Sequence, residues 1–353
     1  MSNMNHRTPK APPSLFTRRI LGILILSVLV VAGFFASLTL GARSIHWATA
    51  WETIPQILSI LDNPEAATTD QQVIAELRFP RTLIALLVGA ALGTAGALIQ
   101  GHTRNPLADP GILGVSAGAA LAVVIGFAIF GVTAIVPTAV IAFGGAVAAT
   151  TAVFGLAAIG RGNLNPLTLV LGGAALTAVL SSITSAFVLT DEQNLDRMRF
   201  WTVGSVAGRD LSVFWGVLPF VVVGLVAAFA TGPVLNVLNL GDDAATALGT
   251  NTSLQRTIGM LIIALLAGVA TAAAGPIGFI GLVVPHIARG LCGPDYRWIL
   301  PYSALCGAAL LTYADVLGRL IARPGELQVG IVLAFVGAPF FIYLVYRGRV
   351  VTV

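Results

Sequence analysis

Lysine is almost missing from this chain: Lys10 is the only one in 353 residues. A phosphate-binding loop of the form GxxxxGK[ST] needs that residue beside its glycines. The chain therefore carries no nucleotide-hydrolysing loop of this kind. Charge of either sign is scarce as well, at 10% of residues, where a soluble domain averages about 25%. A soluble fold of this length would lack the polar side chains to cover its surface. The two cysteines, Cys292 and Cys306, have neither CxxC spacing nor the makings of a disulfide framework. The four histidines are too scattered for a metal site. No dinucleotide fingerprint occurs, and no basic cluster interleaved with aromatics points to nucleic acid.

What fills the chain instead is apolar: 57% of residues, with a mean hydropathy of +0.92. Disorder needs the opposite. The reading is an all-helical, polytopic membrane protein, because a helix needs about 20 apolar residues to cross the hydrocarbon. Stretches free of Asp, Glu, Lys and Arg run over 20–42, 82–103, 110–160, 162–190, 211–241, 257–288, 298–314 and 327–346. The third is long enough for two spans, with a break near Gly131–Pro137. The run 257–288 is interrupted by Ala274-Gly275-Pro276-Ile277-Gly278 and reads as two shortened helices. Ten spans result.

Arg18-Arg19 before an apolar run imitates a signal peptide, but the run is 23 residues long, against about 7–15 for a signal core. It reads as an uncleaved first span. With ten spans both termini share a side. Placing them in the cytoplasm puts eleven of the 19 basic residues inside and eleven of the 15 acids outside, as the positive-inside tendency favours. The expected organisation is a cytoplasmic tail over 1–19, one transmembrane domain over 20–347 with a cytoplasmic loop at about 233–255, and a tail over 348–353. Gly89/Gly93, Gly114/Gly118 and Gly172-Gly173 place small residues where helices approach closely.

Four segments stand out. In Leu77–Ala119 a span ends at Gln100-Gly101, a polar turn holds Arg104, Asn105, Pro106, Asp109 and Pro110, and the chain returns to the membrane at Gly111. Two prolines so close force an irregular turn, either a plain cytoplasmic loop or a buried re-entrant one. In Leu238–Gly249, Asp242 can cap a short helix, Asp243 suits its positive end, and Gly249 suits a left-handed terminus. The result is a two-turn, alanine-rich helix, too short to be stable alone and so expected to pack on a partner. The segment Gly275–Arg289 reads as a broken helix with His286 near its cytoplasmic end, a packing histidine. Arg323-Pro324-Gly325-Glu326-Leu327 opens the last span, which Gly337-Ala338-Pro339 should break.

Taken in order, RNPLADPGILGVSAGA and GPIGFIGLVVPHIAR resemble the permease subunits of the bacterial ATP-binding cassette (ABC) importers for iron–siderophores, haem and vitamin B12, the FecCD family. The resemblance spans roughly Leu21 to Arg347. It implies ten helices, in pairs that enclose a central pathway, with alternating access between its two sides. It implies three kinds of partner besides the bilayer: a second permease copy or paralogue, two ATPase subunits that bind ATP and Mg, and an extracytoplasmic binding protein; no nucleic acid is implied. No cofactor is expected in this chain and no catalytic residue, since the permease makes and breaks no covalent bond. The expected location is the bacterial inner membrane.

Residue by residue, the resemblance assigns Arg78, Arg81 and Arg319 to docking of the binding protein, and Asn105 and Leu107 to a cytoplasmic gate, with Pro166 and Leu167 at a second one. Gly241, Asp242, Asp243, Ala244, Ala245, Leu248 and Gly249 match the loop helix that enters a groove on the ATPase. The fifth span, with Thr177, Ser181, Ser182, Thr184 and Ser185, matches the pathway lining. Those hydroxyls could equally serve hydrogen bonds between helices. Trp201-Thr202-Val203-Gly204-Ser205 resembles the short outer helix of siderophore importers more than that of cobalamin importers. Two departures occur: Gln328 stands where the family usually has proline, and Pro166-Leu167 replaces small hydroxyl residues seen at the second gate. The cargo implied is an iron–siderophore complex, with haem or cobalamin as alternatives. A secondary transporter is the reading from another class. Such proteins often bury ionisable residues, but the one candidate, Asp315, is better explained by Arg319 four residues on.

Overall fold

Hydrocarbon offers backbone groups no water, so each segment that crosses it must satisfy its own N–H and C=O groups as a helix. The computed structural model describes residues 15–159 and 166–346, and every regular element among the described residues is helical. Ten apolar helices carry the fold: α1 (Leu15–Thr39), α2 (Phe79–Thr103), α3 (Val115–Ala128), α4 (Ile135–Ile159), α5 (Pro166–Leu189), α6 (Leu211–Ala230), α7 (Thr252–Ala274), α8 (Ile280–Cys292), α9 (Tyr296–Ile321) and α10 (Val329–Tyr346). Seven lie in helices long and apolar enough to cross a membrane, and α3, α8 and α10 are shorter apolar helices. Together they are the ten expected.

The boundaries differ from the charge-free runs for identifiable reasons. Helix α1 begins at Leu15, inside the stretch expected to be a tail. Of the two helices expected to be shortened, only α8 is short. Helix α7 reaches back to Thr252 because Asn251 caps it, accepting the Leu254 N–H at 3.0 Å, and so takes in Arg256. Helix α9 runs on through Asp315 and Arg319, whose charges are paired inside the protein. Pro339 does not break α10, which passes through it. The remaining residues of the two tails lie outside the described residues.

The helices alternate in direction, so their connections gather at two ends. At the near end, where α1 starts, Arg19 meets Asp295 at 3.7 Å and Asn236 donates to Asp295 at 2.7 Å. Short helices Gly232–Leu238 and Asp242–Ala247 lie here between α6 and α7. At the far end, Arg78 donates to the Leu38 carbonyl at 2.7 Å. Helix Glu192–Val203 lies here between α5 and α6. Its last turn is tied to two other elements: Ser205 N–H donates to the Ala274 carbonyl at 2.7 Å, and Gly330 N–H to that of Gly204 at 3.2 Å. Gly204 has φ +77°, and a Cβ there would fall on the Pro276 carbonyl. Only glycine fits.

Helices α2 and α7 form the interior, while α1 and α5 are largely exposed on the single chain. Between α2 and α9, Gly89 and Gly307 are in backbone contact: a Cβ on either would fall on the other's carbonyl oxygen. Gly93 adds to the same seam against the Ser303 carbonyl, and Gly118 packs likewise on Gly145 between α3 and α4. Close approach of this kind maximises dispersion contact where no hydrophobic effect draws helices together. Gly172 makes no such approach; open space surrounds it.

Candidate functional site: two polar ends and the helix between them

At the far end the three arginines assigned to docking come together, but they are not presented on the surface. Arg78, Arg81 and Arg319 are 6%, 7% and 2% exposed. Arg81 grips Asp315 with two nitrogens, Nη2 to Oδ1 at 2.7 Å and Nε to Oδ2 at 3.0 Å, and reaches Glu326 at 2.6 Å with Nη1. Arg319 pairs with the same Asp315 at 3.1 Å, the spacing of four expected within α9, and also donates to the Ser37 hydroxyl and carbonyl of α1 at 2.6 and 2.9 Å. Arg78 donates to the carbonyls of Leu38 and Arg43. Each guanidinium thus bonds to internal acceptors, as a buried charge must, although Nε of Arg319 has none.

The three arginines thus form a buried network and do not project from the surface. Three guanidiniums face two carboxylates, leaving one positive charge over. A cavity of about 290 Å³ lined by all three and by Glu326 adjoins one of about 580 Å³ lined by Arg81, Arg197, Arg209, Glu326 and Gln328.

At the near end, α2 closes on Arg104, which takes the left-handed conformation at φ +50°. Asn105 follows, its side-chain oxygen accepting the Leu107 N–H at 2.9 Å. Asp109 then caps the short turn Pro110–Leu113, accepting the Gly111 N–H at 2.8 Å. Ala108 and Leu113 are buried, and Pro110 packs on Gly281 of α8. The second half of the stretch, from Ala108 on, is therefore packed into the protein. Asn105 and Leu107 stay exposed at its rim. Pro166 opens α5, and the side chains of Pro166 and Leu167 lie outside the described residues.

The helix Asp242–Ala247 is six residues long, just under two turns. Gly241 at φ +110° occupies the cap position expected for Asp242, which is instead the first helical residue. Its carboxylate is consequently free to reach sideways, to Arg104 and, at 2.8 Å, to Arg256. Gly249 takes the left-handed conformation expected of it, φ +80°. Ala245 is the buried anchor, whereas Asp243, Ala244 and Leu248 face outward, Leu248 with 65% of its surface exposed.

On α5, Ser181, Ser182 and Ser185 are exposed and Thr177 and Thr184 half-buried. Ser182, Thr184 and Ser185 donate to carbonyls one turn back, at 2.8, 2.8 and 2.9 Å. These bonds stay within α5 and join no second helix, which leaves the stripe open along one face. Thr184 and Ser185 line a cavity of about 420 Å³ with Arg199 and Thr202 of the short far-end helix.

Sequence reasoning missed the partners that organise both ends: Glu326 and Asp315 for Arg81, and Arg104 and Arg256 for Asp242. Their separations, from 14 to 245 residues, leave no local pattern. It also missed Asp295, whose carboxyl caps α9 and is held down to about 2 by its hydrogen bonds with the Arg297 guanidinium and Asn236. His286 is buried, as expected of a packing residue.

Comparison with known proteins places this geometry. Residues 29–347 match the FecCD transport family. The chain is 44% identical over 326 residues, 92% of its length and 94% of the relative's, to the ferric enterobactin transport system permease protein FepD of Escherichia coli. It is 42% identical to the iron(3+)-hydroxamate import system permease protein FhuB of Bacillus subtilis, covering 95% of this chain and 86% of that one. The hemin transport system permease protein HmuU of Yersinia pestis is 37% identical, over 94% and 96% of the two chains. Among solved structures, an inward-facing conformation of a metal-chelate type ABC transporter superposes with a TM-score of 0.77 at 29% identity, covering 92% of this chain and 98% of the other. With the match running from within α1 to the end of α10, the chain belongs to the FecCD transport family.

Proposed function

We propose that this chain is the membrane-spanning permease subunit of an ATP-driven importer and carries an iron–siderophore complex inward across the cytoplasmic membrane, with both termini in the cytoplasm. The observation that carries the reading is the exposed helix Asp242–Ala247 with Leu248 beside it, on a chain that has no nucleotide-binding motif of its own. An apolar side chain held out on a short, tethered helix is poised for a protein groove. The groove belongs to a separate ATPase that binds ATP and Mg; two such subunits serve a pair of permeases.

The pair brings two α5 hydroxyl faces together around the pathway, lined by Thr177, Ser181, Ser182, Thr184 and Ser185. The exposed face of α5 supports this, since Ser182, Thr184 and Ser185 bond to carbonyls of α5 itself. Asn105 and Leu107, with Pro166 and Leu167, close the pathway at the cytoplasmic side. Docking of the binding protein at the far end uses the cleft lined by Arg78, Arg81 and Arg319. Its surplus positive charge suits an acidic side chain inserted from outside. ATP binding draws the ATPases together, moves the paired coupling helices, and opens one gate as the other shuts.

The test is uptake into proteoliposomes that hold this permease, its ATPase and its binding protein. Ferric siderophore should accumulate only with internal ATP and the binding protein present. Uptake driven by an ion gradient without ATP would overturn the reading in favour of a secondary transporter. Accumulation of hemin in place of the siderophore would transfer the cargo assignment, in line with the 37% identity to a hemin permease.

A further inference from the structure

Asp242 is the first residue of the near-end helix, yet its side chain does not face outward with Asp243 and Leu248. One carboxylate oxygen, Oδ1, accepts both from Arg104 and, at 2.8 Å, from Arg256 Nη2. Arg104 ends α2 and immediately precedes Asn105, whose side chain shapes the turn to Leu107. Arg256 lies in the second turn of α7, with its side chain 10% exposed. The last turn of α2 is packed hard on the same part of α7: His102 lies so close to Gly259 that no Cβ could stand there. Gly241, at φ +110° with open space around it, precedes the near-end helix.

The start of the turn after α2, the near-end helix and α7 are thus pinned together by a single carboxylate. Besides Arg104 and Arg256, the titratable groups nearby are Asp243, which faces solvent, and His102 on the α2 side. We propose that Arg104 is a positioning residue that transmits displacement of the coupling helix to the inner gate, through its bond to Asp242. This rests on the reading of 241–249 as the ATPase-coupling segment and of Asn105 and Leu107 as the gate. An ion pair as exposed as this one contributes little to stability. Its value lies in position: it spans from the segment that moves to the backbone that must respond, and Arg104 is the residue next to the gate.

The experiment uses the full complex of permease and ATPase with cysteine introduced at Asn105 or, separately, Leu107. The rate of reaction with a membrane-impermeant maleimide from the ATPase side is read with and without ATP. With Arg104 intact, the rate should change several-fold on adding ATP. Arg104→Gln should abolish that change at both positions, while ATPase co-elution and basal hydrolysis stay as they were; Arg104→Lys, which keeps the ion pair, should restore it. A nucleotide-dependent rate that survives in Arg104→Gln overturns the link. So does loss of the ATPase from that variant, because Arg104 would then be holding the coupling helix for its partner. If neither cysteine responds to ATP with Arg104 intact, the gate assignment itself has failed and the link falls with it.

Discussion

The two ends of this molecule handle charge in opposite ways. At the far end, Arg78, Arg81, Arg319 and Asp315 are turned inward and bond to one another or to backbone carbonyls of α1. At the near end, a six-residue helix carries Asp243 and Leu248 on its open side and is held through one exposed carboxylate, Asp242. The far end is built as part of the fold; the near end is built as a surface. The same residue type therefore does different work in the two places. Removing Arg81 at the far end leaves the buried Asp315 with Arg319 alone, whereas removing Arg104 at the near end leaves groups that water can solvate.

The largest expected effect tests that contrast directly. Arg81→Ala should destabilise the protein by about 3–5 kcal/mol, the usual cost of stranding one partner of a buried ion pair. Thermal unfolding in detergent is the check, with Arg104→Ala at the near end as the control. Arg104 pairs with Asp242, their side chains 35% and 45% exposed, so its loss should cost only about 0–1 kcal/mol. Equal losses in the two variants would erase the distinction between the ends.

Next in size is Gly249→Val. The left-handed φ of +80° penalises any residue with a Cβ, by roughly 1–2 kcal/mol, although open space surrounds the position. The strain falls on the last turn of the near-end helix, so ATP-driven transport should drop while the unfolding temperature moves little. Normal transport would show that the terminus need not hold this shape.

The smallest effect concerns pH. The Asp295 carboxyl, bonded to Arg297 and Asn236, is held down to about 2, below its unfolded value of about 3.9. Its contribution is therefore complete above about pH 4 and is lost as pH falls from there through 2. Asp295→Asn should flatten that part of the stability curve, by no more than about 1 kcal/mol for a pair whose arginine is 63% exposed. An unchanged acid limb would remove Asp295 from the account of the near end.

Which of these features could be read before the structure was known follows from the range of the forces that make them. The ten apolar helices were legible because hydrophobicity over about 20 residues is a local signal. So was the i,i+4 pair Asp315–Arg319, and so was Gly249, whose left-handed turn follows a short helix. The boundaries of α7 and α9 were not, because Arg256, Asp315 and Arg319 are tolerated inside helices only once distant partners neutralise them. Arg81 and Glu326 are 245 residues apart. Nothing local in either stretch says that they meet, and so the arginines read as surface charges. Asp242 went astray for a subtler reason: Gly241 takes the cap position, and this frees the carboxylate to bridge α2 and α7.

The contrast between the ends rests most heavily on Leu248, which the fold leaves 65% exposed. The direct test is to purify Leu248→Asp with the ATPase and to record ATPase co-elution beside the unfolding temperature of the permease alone. A charge placed on an exposed position should shift stability by no more than about 0.5 kcal/mol. In a protein groove, the same charge would be buried without a partner. The account predicts an unfolding temperature like that of the wild type and loss of the ATPase. A variant that unfolds normally and still co-elutes with its ATPase at wild-type yield would contradict it.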